Sequence, residues 1–256
     1  MRMKMERYIP DVSLRPFIKS YVILESGEDR INRLLPDTSL ALAFRYRGVV
    51  KQVTGHAADT FPRAVISGLR TSARLINYMP DSGNIVVLFR EGGAAAFFRE
   101  PLHRLFEASI PLDAIIKPLN VAMVEEQLAG ARNDCERIMI VERFLLSNLR
   151  HLKPDQLILA AVEKIHSEKG LLKMRELADM FCISPDAFEK RFRKAVGSSP
   201  KQFASVVRMR SVINRRSSGL LDMAFDAGFY DQSHFNKSFR QFTGQSPTDF
   251  FKSPFW

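Results

Sequence analysis

A pattern written twice constrains this chain more than any other feature: Phe188, Phe192, Gly197, Ser199-Pro200 and Phe203, then Phe235, Phe239, Gly244, Ser246-Pro247 and Phe250. Each member of the second set follows its partner by 47 residues, with no slippage. Helical geometry gives the pattern its content, because residues at i, i+4 and i+7 share a face. Phe188, Phe192 and Ala195 form one such stripe, and Phe235, Phe239 and Phe242 form the other. A glycine then ends each helix where a left-handed residue costs least, and Ser-Pro supplies a cap and a first-turn proline for the next. Upstream, Ala178 precedes Cys182 and Ile183 as Ala224 precedes Gly228 and Phe229. A small residue, a tight corner and an apolar plug before a long helix make a helix-turn-helix signature, present twice.

The 256 residues give room for about two domains. Hydrophobic residues at 46% and charged residues at 26% fit an ordinary globular chain and exclude a disordered one. The net charge of +10 is high, and it divides evenly, +5 on either side of Pro154, so bulk charge does not single out one half. Local charge does: from Glu189 to Arg216 there are nine Lys/Arg against the single acid Glu189, a footprint suited to a phosphate backbone. A solvated helical face is the alternative reading of such a cluster. Cys135 and Cys182 match no metal or disulfide spacing and read as packing residues in a reducing compartment. Met1 to Pro10 has no apolar signal-type region and no run has the length of a membrane span, so the expectation is a cytoplasmic protein without membrane attachment.

Short β-branched and aromatic runs punctuated by turn residues predict strands over Tyr21–Leu24, Leu40–Tyr46, Ala64–Ile66, Leu75–Tyr78 and Ile85–Phe89, and so a small barrel or sandwich. After Gly92-Gly93 the texture turns helical. A helical stretch begins at Ala94–Phe98, Ile110-Pro111-Leu112 interrupts it, and helices follow at about 118–130 and 134–149. Ile138, Val141, Leu145 and Leu149 form a stripe that fits core or dimer seam equally. Lys153-Pro154 is the joint, which sets a β-rich first domain with trailing helices at 1–152 and an all-α second domain at 153–256. Asp155 caps a helix bearing Ile158, Ala161, Val162 and Ile165 and closing at Gly170; from there to Trp256 the chain reads as seven helices. The fold class is therefore α+β.

With Phe188 buried, its helix turns Asp186, Lys190 and Arg193 outward, with Glu189 and Lys194 beside them. The same construction on Phe235 exposes Ser233, Lys237 and Arg240, flanked by His234, Asn236 and Gln241, with Gln232 at the helix start. A helix fits the major groove, where base edges carry a distinguishable code. Lys190 and Lys237 are placed to reach guanine acceptors, Arg193 and Arg240 to hold phosphates, Glu189 or Asp186 to accept from cytosine, and Ser233 or His234 to contact either. A connecting helix near 200–216 would be roughly 24 Å long at ~1.5 Å per residue. With the helix half-widths added, this approaches the ~34 Å between successive major grooves on one face of DNA.

These two motifs, above all Gly228-Phe229-Tyr230-Asp231-Gln232-Ser233-His234-Phe235 with Phe239, Gly244 and Ser246-Pro247, resemble the DNA-binding domain of AraC/XylS-type transcriptional regulators. Leu35-Pro36-Asp37, Arg90–Ala95 and Ile110-Pro111-Leu112 resemble the sensor half of some members. The resemblance implies a cupin-like or related β-rich domain for effector binding or dimerisation, a seven-helix domain on double-stranded promoter DNA, contact with RNA polymerase, and activation. Two features depart from the family pattern: the 208–224 connection is a couple of residues short, and Thr38 stands where a glycine commonly follows Pro-Asp.

An enzyme reading finds no phosphate loop, no nucleophile elbow and no metal spacing among His56, His103, His151, His166 and His234, so no catalytic residue, metal or cofactor is expected. A helical protein-interaction scaffold and a regulator whose first half only dimerises are the remaining alternatives. In that first half, Arg45, Arg70, Arg74 and Tyr78 suit an acidic or aromatic ligand, although alternating positions on a strand equally serve as outward solubilisers. The sequence names neither the ligand nor its site.

Overall fold

A computed structural model describes residues 3–55, 57–150, 153–214, 224–225 and 227–252. Its first half contains ten strands: β1 (Lys4–Tyr8), β2 (Ile18–Ser26), β3 (Arg30–Leu34), β4 (Ala41–Arg47), β5 (Val50–Thr54), β6 (Ala57–Thr60), β7 (Ala64–Ser67), β8 (Arg74–Tyr78), β9 (Ser82–Phe89) and β10 (Ser109–Pro111). They form a six-stranded sheet, ordered β1-β2-β9-β4-β7-β10, and a four-stranded sheet, ordered β3-β8-β5-β6, with antiparallel pairing throughout. Neither sheet closes on itself among the described residues, so the β-rich first half is built of two open sheets.

The period of two along each strand sorts the side chains. In the larger sheet Tyr21 and Ile23, Leu42 and Phe44, and Ile85, Val87 and Phe89 enter the main hydrophobic core. Their neighbours Val22 and Leu24, Ala41, Ala43 and Arg45, and Val86 and Leu88 line a cavity on the opposite face. Two helices, α1 (Pro118–Gly130) and α2 (Asp134–Asn148), cover the core face, where Phe144 packs edge-on to Phe44 at 5.7 Å between ring centres. The Ile138, Val141 and Leu145 stripe of α2 is buried here, with Leu149 packed against the same cluster, which makes it core and not a seam.

Several expectations are corrected. The stretch from Ala94 is not a helix but two 3-10 turns, Gly93–Ala96 and Leu102–Leu105. Ile110-Pro111 does not break a helix: it pairs with Ile66-Val65 as the edge strand β10, where Pro111 is tolerated at the rim of the sheet. Cys135 and Cys182 are both exposed, the first in the outer first turn of α2 and the second at a corner with φ of 51°. Burial of a small thiol follows from position and not from residue type alone.

The second half contains α3 (Gln156–Ser167), α4 (Met174–Met180), α5 (Pro185–Val196), α6 (Pro200–Asn214), α7 (Gln232–Thr243) and α8 (Pro247–Lys252). The seventh expected helix, which opens the second motif, falls largely on 215–223 and 226, outside the described residues, as does most of the shortened 208–224 connection. Asp155 caps α3 as expected, accepting from the Ile158 amide at 3.3 Å, and Gly170 follows in the left-handed region at φ of 73°. Among the described residues no helix is long and apolar enough to cross a membrane, and no group of three or more His, Cys, Asp or Glu could hold a metal ion.

Candidate nucleic-acid interface

The 47-residue repeat is reproduced closely at its stops and core, and the corners recur at a spacing of 46 residues. Gly197 and Gly244 end α5 and α7 at φ of 98° and 76°, and their amides donate to Arg193 O and Arg240 O. At the corners, the Ile183 amide donates to Ala178 O at 3.2 Å and the Phe229 amide to Ala224 O at 3.0 Å, around the left-handed Cys182 and Gly228. Phe188 and Phe192 stack at 5.8 Å between ring centres, and Phe235 and Phe239 at 5.6 Å, with the same interplanar angle of 56°. Phe203 and Phe250, from the helix after each stop, meet them edge-on at 5.5 and 5.4 Å.

With both aromatic stripes turned in, the polar faces are turned out. Asp186, Glu189, Lys190, Arg193 and Lys194 on α5 are all exposed. So are Gln232, Ser233, His234, Asn236, Lys237 and Arg240 on α7. Ser184 caps α5 through the Ala187 amide, and Asp231 caps α7 through the His234 amide at 2.7 Å. Arg193 pairs with Glu189 at 3.5 Å, one turn apart on the same face. Gln232, Asn236, Lys237 and Arg240 line a cleft completed by Ser246, Pro247 and Thr248 at the start of α8. The same repeat applied to Thr248 leads to Lys201, exposed at the start of α6, a cation that the helix-face construction passed over.

The basic cluster is only partly a surface. Arg191 turns sideways to the cap of α3 and holds Asp155 with both Nε and Nη2, at 3.0 and 2.7 Å. Arg208 lies over the Phe229 ring at 4.8 Å, and its Nη2 donates to Gly228 O. Arg210 leaves the helical half altogether, donating from Nε to Pro36 O at 2.6 Å and pairing with Asp37 at 3.3 Å. A count of charges along the sequence could not separate these tethers from the free cations.

The two motifs are held differently by the sandwich. Phe188, Phe192, Val196 and Phe203 belong to the same buried cluster as Ala94, Leu102 and the β-sheet core. Phe229, Phe235, Phe239, Phe242 and Phe250 form a separate, smaller cluster, to which the first half contributes Leu35. Polar bonds from the sandwich to that second cluster include Arg33 Nη1 to Thr243 O at 2.8 Å and the Ala73 amide to Phe242 O at 3.0 Å, beside the Arg210 tether of α6. A separate link, to the first cluster, joins Glu91 to α3, where its Oε1 receives Thr38 Oγ1 at 2.6 Å and lies 3.2 Å from His166 Nε2. Burial pulls the Glu91 carboxyl up, but the hydrogen bonds from His166 and Thr38 prevail and hold it at about 2. Thr38, in the place of a family glycine, is thus a structural partner.

Arg45, Arg70, Arg74 and Tyr78 are gathered by the fold around one cavity of about 350 Å³ between the two sheets. Arg74, Ile76 and Tyr78 alternate along β8 and point into it together. They are not outward-facing solubilisers.

Residues 177–253 match a helix-turn-helix domain family, and residues 6–111 match a domain family of unknown function. The chain is 26% identical over 167 residues to the Msm operon regulatory protein of Streptococcus mutans, covering 63% of this chain and 57% of that protein. It is 26% identical over 178 residues to the ornithine utilization regulator of Pseudomonas aeruginosa, covering 63% of this chain and 45% of that one. It spans about half the length of the curated relatives it matches. Among solved structures, ToxT from Vibrio cholerae aligns over 98% of both chains at 11% identity and a TM-score of 0.45. With a duplicated helix-turn-helix of this kind joined to a β-rich first half, the chain resembles the AraC/XylS-type transcriptional regulators.

Proposed function

We propose that this chain is a sequence-specific DNA-binding transcriptional activator that sets α5 and α7 into successive major grooves of promoter DNA. What carries the reading is that the two copies agree in stop, corner and aromatic core, while the residues left outside are polar on both and include Lys and Arg on each. Lys190 and Lys237 read base acceptors. Asp186, Glu189, Gln232, Ser233, His234 and Asn236 tune the choice of base, and Arg193, Lys194 and Arg240 hold phosphates, joined by Lys201 and Thr248. Helix α6, with 15 residues and so roughly 22 Å of rise, is the strut between them.

Within this reading, the division falls at 153 and the first half is a cupin-like sensor with its effector between the sheets. RNA polymerase and a second copy of the chain are partners, the protein acts in the cytoplasm, and no catalysis or cofactor is involved. The exposed Leu119, Met123, Met139 and Leu146 on α1 and α2 supply an apolar face for self-association.

The test begins with selection of bound duplexes from a random pool. Affinity for the selected site is expected to fall steeply with salt. Lys190→Ala and Lys237→Ala are each expected to cost about 1–3 kcal/mol of base discrimination in one half-site. Affinity and preference unchanged in both variants would refute the face assignment. Salt-independent binding, or none, would favour the protein-interaction scaffold.

A further inference from the structure

The cavity between the sheets combines two chemistries in one space. Its walls are apolar, with Val22, Leu24, Val86 and Leu88 from one sheet and Ile76 from the other. Its charged end holds Arg74 and Arg70. Arg74 donates from Nη1 to Ser109 Oγ at 2.6 Å and from Nη2 to Ser67 Oγ at 3.3 Å, so its partners are hydroxyls and not carboxylates. Arg70 reaches the same Ser109 hydroxyl at 3.4 Å and stands 3.7 Å from Glu107 at the rim. The Nε atoms of both arginines, and Nη1 of Arg45 across the space, are buried without a hydrogen-bond partner among the described residues. Burial, followed by repulsion from Arg70, lowers the Arg74 guanidinium to about 10.

Guanidinium groups kept from water beside one another are costly unless an anion joins them. The planar fork of arginine matches a carboxylate with two parallel bonds. The apolar remainder of the space, at the small end of the size range for ligand pockets, calls for a hydrocarbon body.

We propose that this cavity binds a small organic acid, its carboxylate on Arg70 and Arg74 and its aliphatic or aromatic body between the valine and leucine walls. The site stands on the cavity alone; its consequence for DNA rests on the regulator reading. Leu34, Leu35, Pro36 and Asp37 line the cavity, and this is the segment that holds the helical half. Arg33 grips Thr243, Leu35 packs into the core of the second motif, and Pro36 and Asp37 receive Arg210, itself at the cavity wall. An occupant that moves this segment moves the seat of α7.

Calorimetry on the full chain would use 4-phenylbutanoate, octanoate and decanoate, with the corresponding primary amides and inorganic phosphate as controls. At least one carboxylate is expected to bind, its amide roughly tenfold or more weaker, and phosphate not measurably. Arg74→Met and Arg70→Met are each expected to weaken the carboxylate by about ten- to a hundredfold. Their melting temperatures without ligand should be equal to or above that of the parent, which separates a lost contact from a lost fold. Arg74→Lys, which keeps the charge and loses the fork, is expected to recover only part of the affinity.

Failure of every carboxylate to bind, equal binding of the amides, or indifference to both Met variants would overturn the site. Mobility shift on a selected duplex then reads the consequence. The bound carboxylate is expected to change DNA affinity at least threefold, and Arg33→Ala to abolish that change while calorimetry is unaltered. Carboxylate binding without a change in DNA affinity would overturn the coupling. Carboxylate binding by a chain that binds no duplex at all would overturn the regulator reading and leave the site standing.

Discussion

At the scale of single residues, backbone constraint and charge environment decide what each position tolerates. Gly197 sits at φ of 98°, and a Cβ built there would lie 3.2 Å from Leu102 O. Gly197→Ala is therefore expected to cost about 1–2 kcal/mol in denaturant unfolding, mostly from the left-handed backbone. This position was legible from the sequence, because a glycine after an apolar helical stripe and before Ser-Pro has one common use. Glu91 was not legible, since its partners Thr38 and His166 are far away along the chain.

Its carboxyl is held below the ordinary 4.5, at about 2, so it contributes stability above pH 4.5 that is lost as pH falls from there toward 2. The amount is on the order of 2 kcal/mol. Urea midpoints taken at pH 6, 4 and 3 are expected to fall less in Glu91→Gln than in the parent chain across that window, starting from a lower value at pH 6.

At the scale of elements, the strands and helices read correctly were those with a strong internal pattern. α1, α2, α3, α5 and α7 follow their apolar stripes, and β2, β4, β7, β8 and β9 follow their β-branched runs. The strands that were missed, β1, β3, β5, β6 and the three-residue β10, are short, lack a long apolar run, as in Lys-Met-Glu-Arg-Tyr, and are defined by their pairing with a neighbour. The 3-10 turns at 93–105 carry helix-forming residues whose continuation is overridden by packing under α5.

The helices α5 and α7 themselves were found, but their unequal support was not, because it depends on which cluster each aromatic joins. Phe192→Leu and Phe239→Leu are each expected to cost about 1–2 kcal/mol. The first should lower the whole-chain transition. The second should show chiefly as faster amide exchange over 232–252, the segment that depends on the smaller cluster.

At the scale of the whole molecule, the expected joint at Lys153-Pro154 is crossed by a continuous core that runs from Leu14 to Val207. Sequence periodicity finds faces but not which faces meet, so the burial of the first helix-turn-helix against Leu102 and Ala94 was out of reach. Because α3 and α5 complete a core begun in the sandwich, residues 153–256 expressed alone are expected to melt well below the full chain by circular dichroism. The second motif should be the smaller contributor to that loss.

The smaller cluster meets the sandwich through one short segment and its flanks, Arg33, Leu35, the Arg210 tether to Pro36 and Asp37, and Ala73, while the larger one is continuous with it. If α5 and α7 read DNA as proposed, two helices anchored so unevenly would measure their target asymmetrically. The half-site under α5 would be held to a fixed frame, and the one under α7 would accept an inserted or deleted base pair in the spacer at little loss. Aligned selected sites would then be sharp at one end and graded at the other, although the two motifs descend from one pattern.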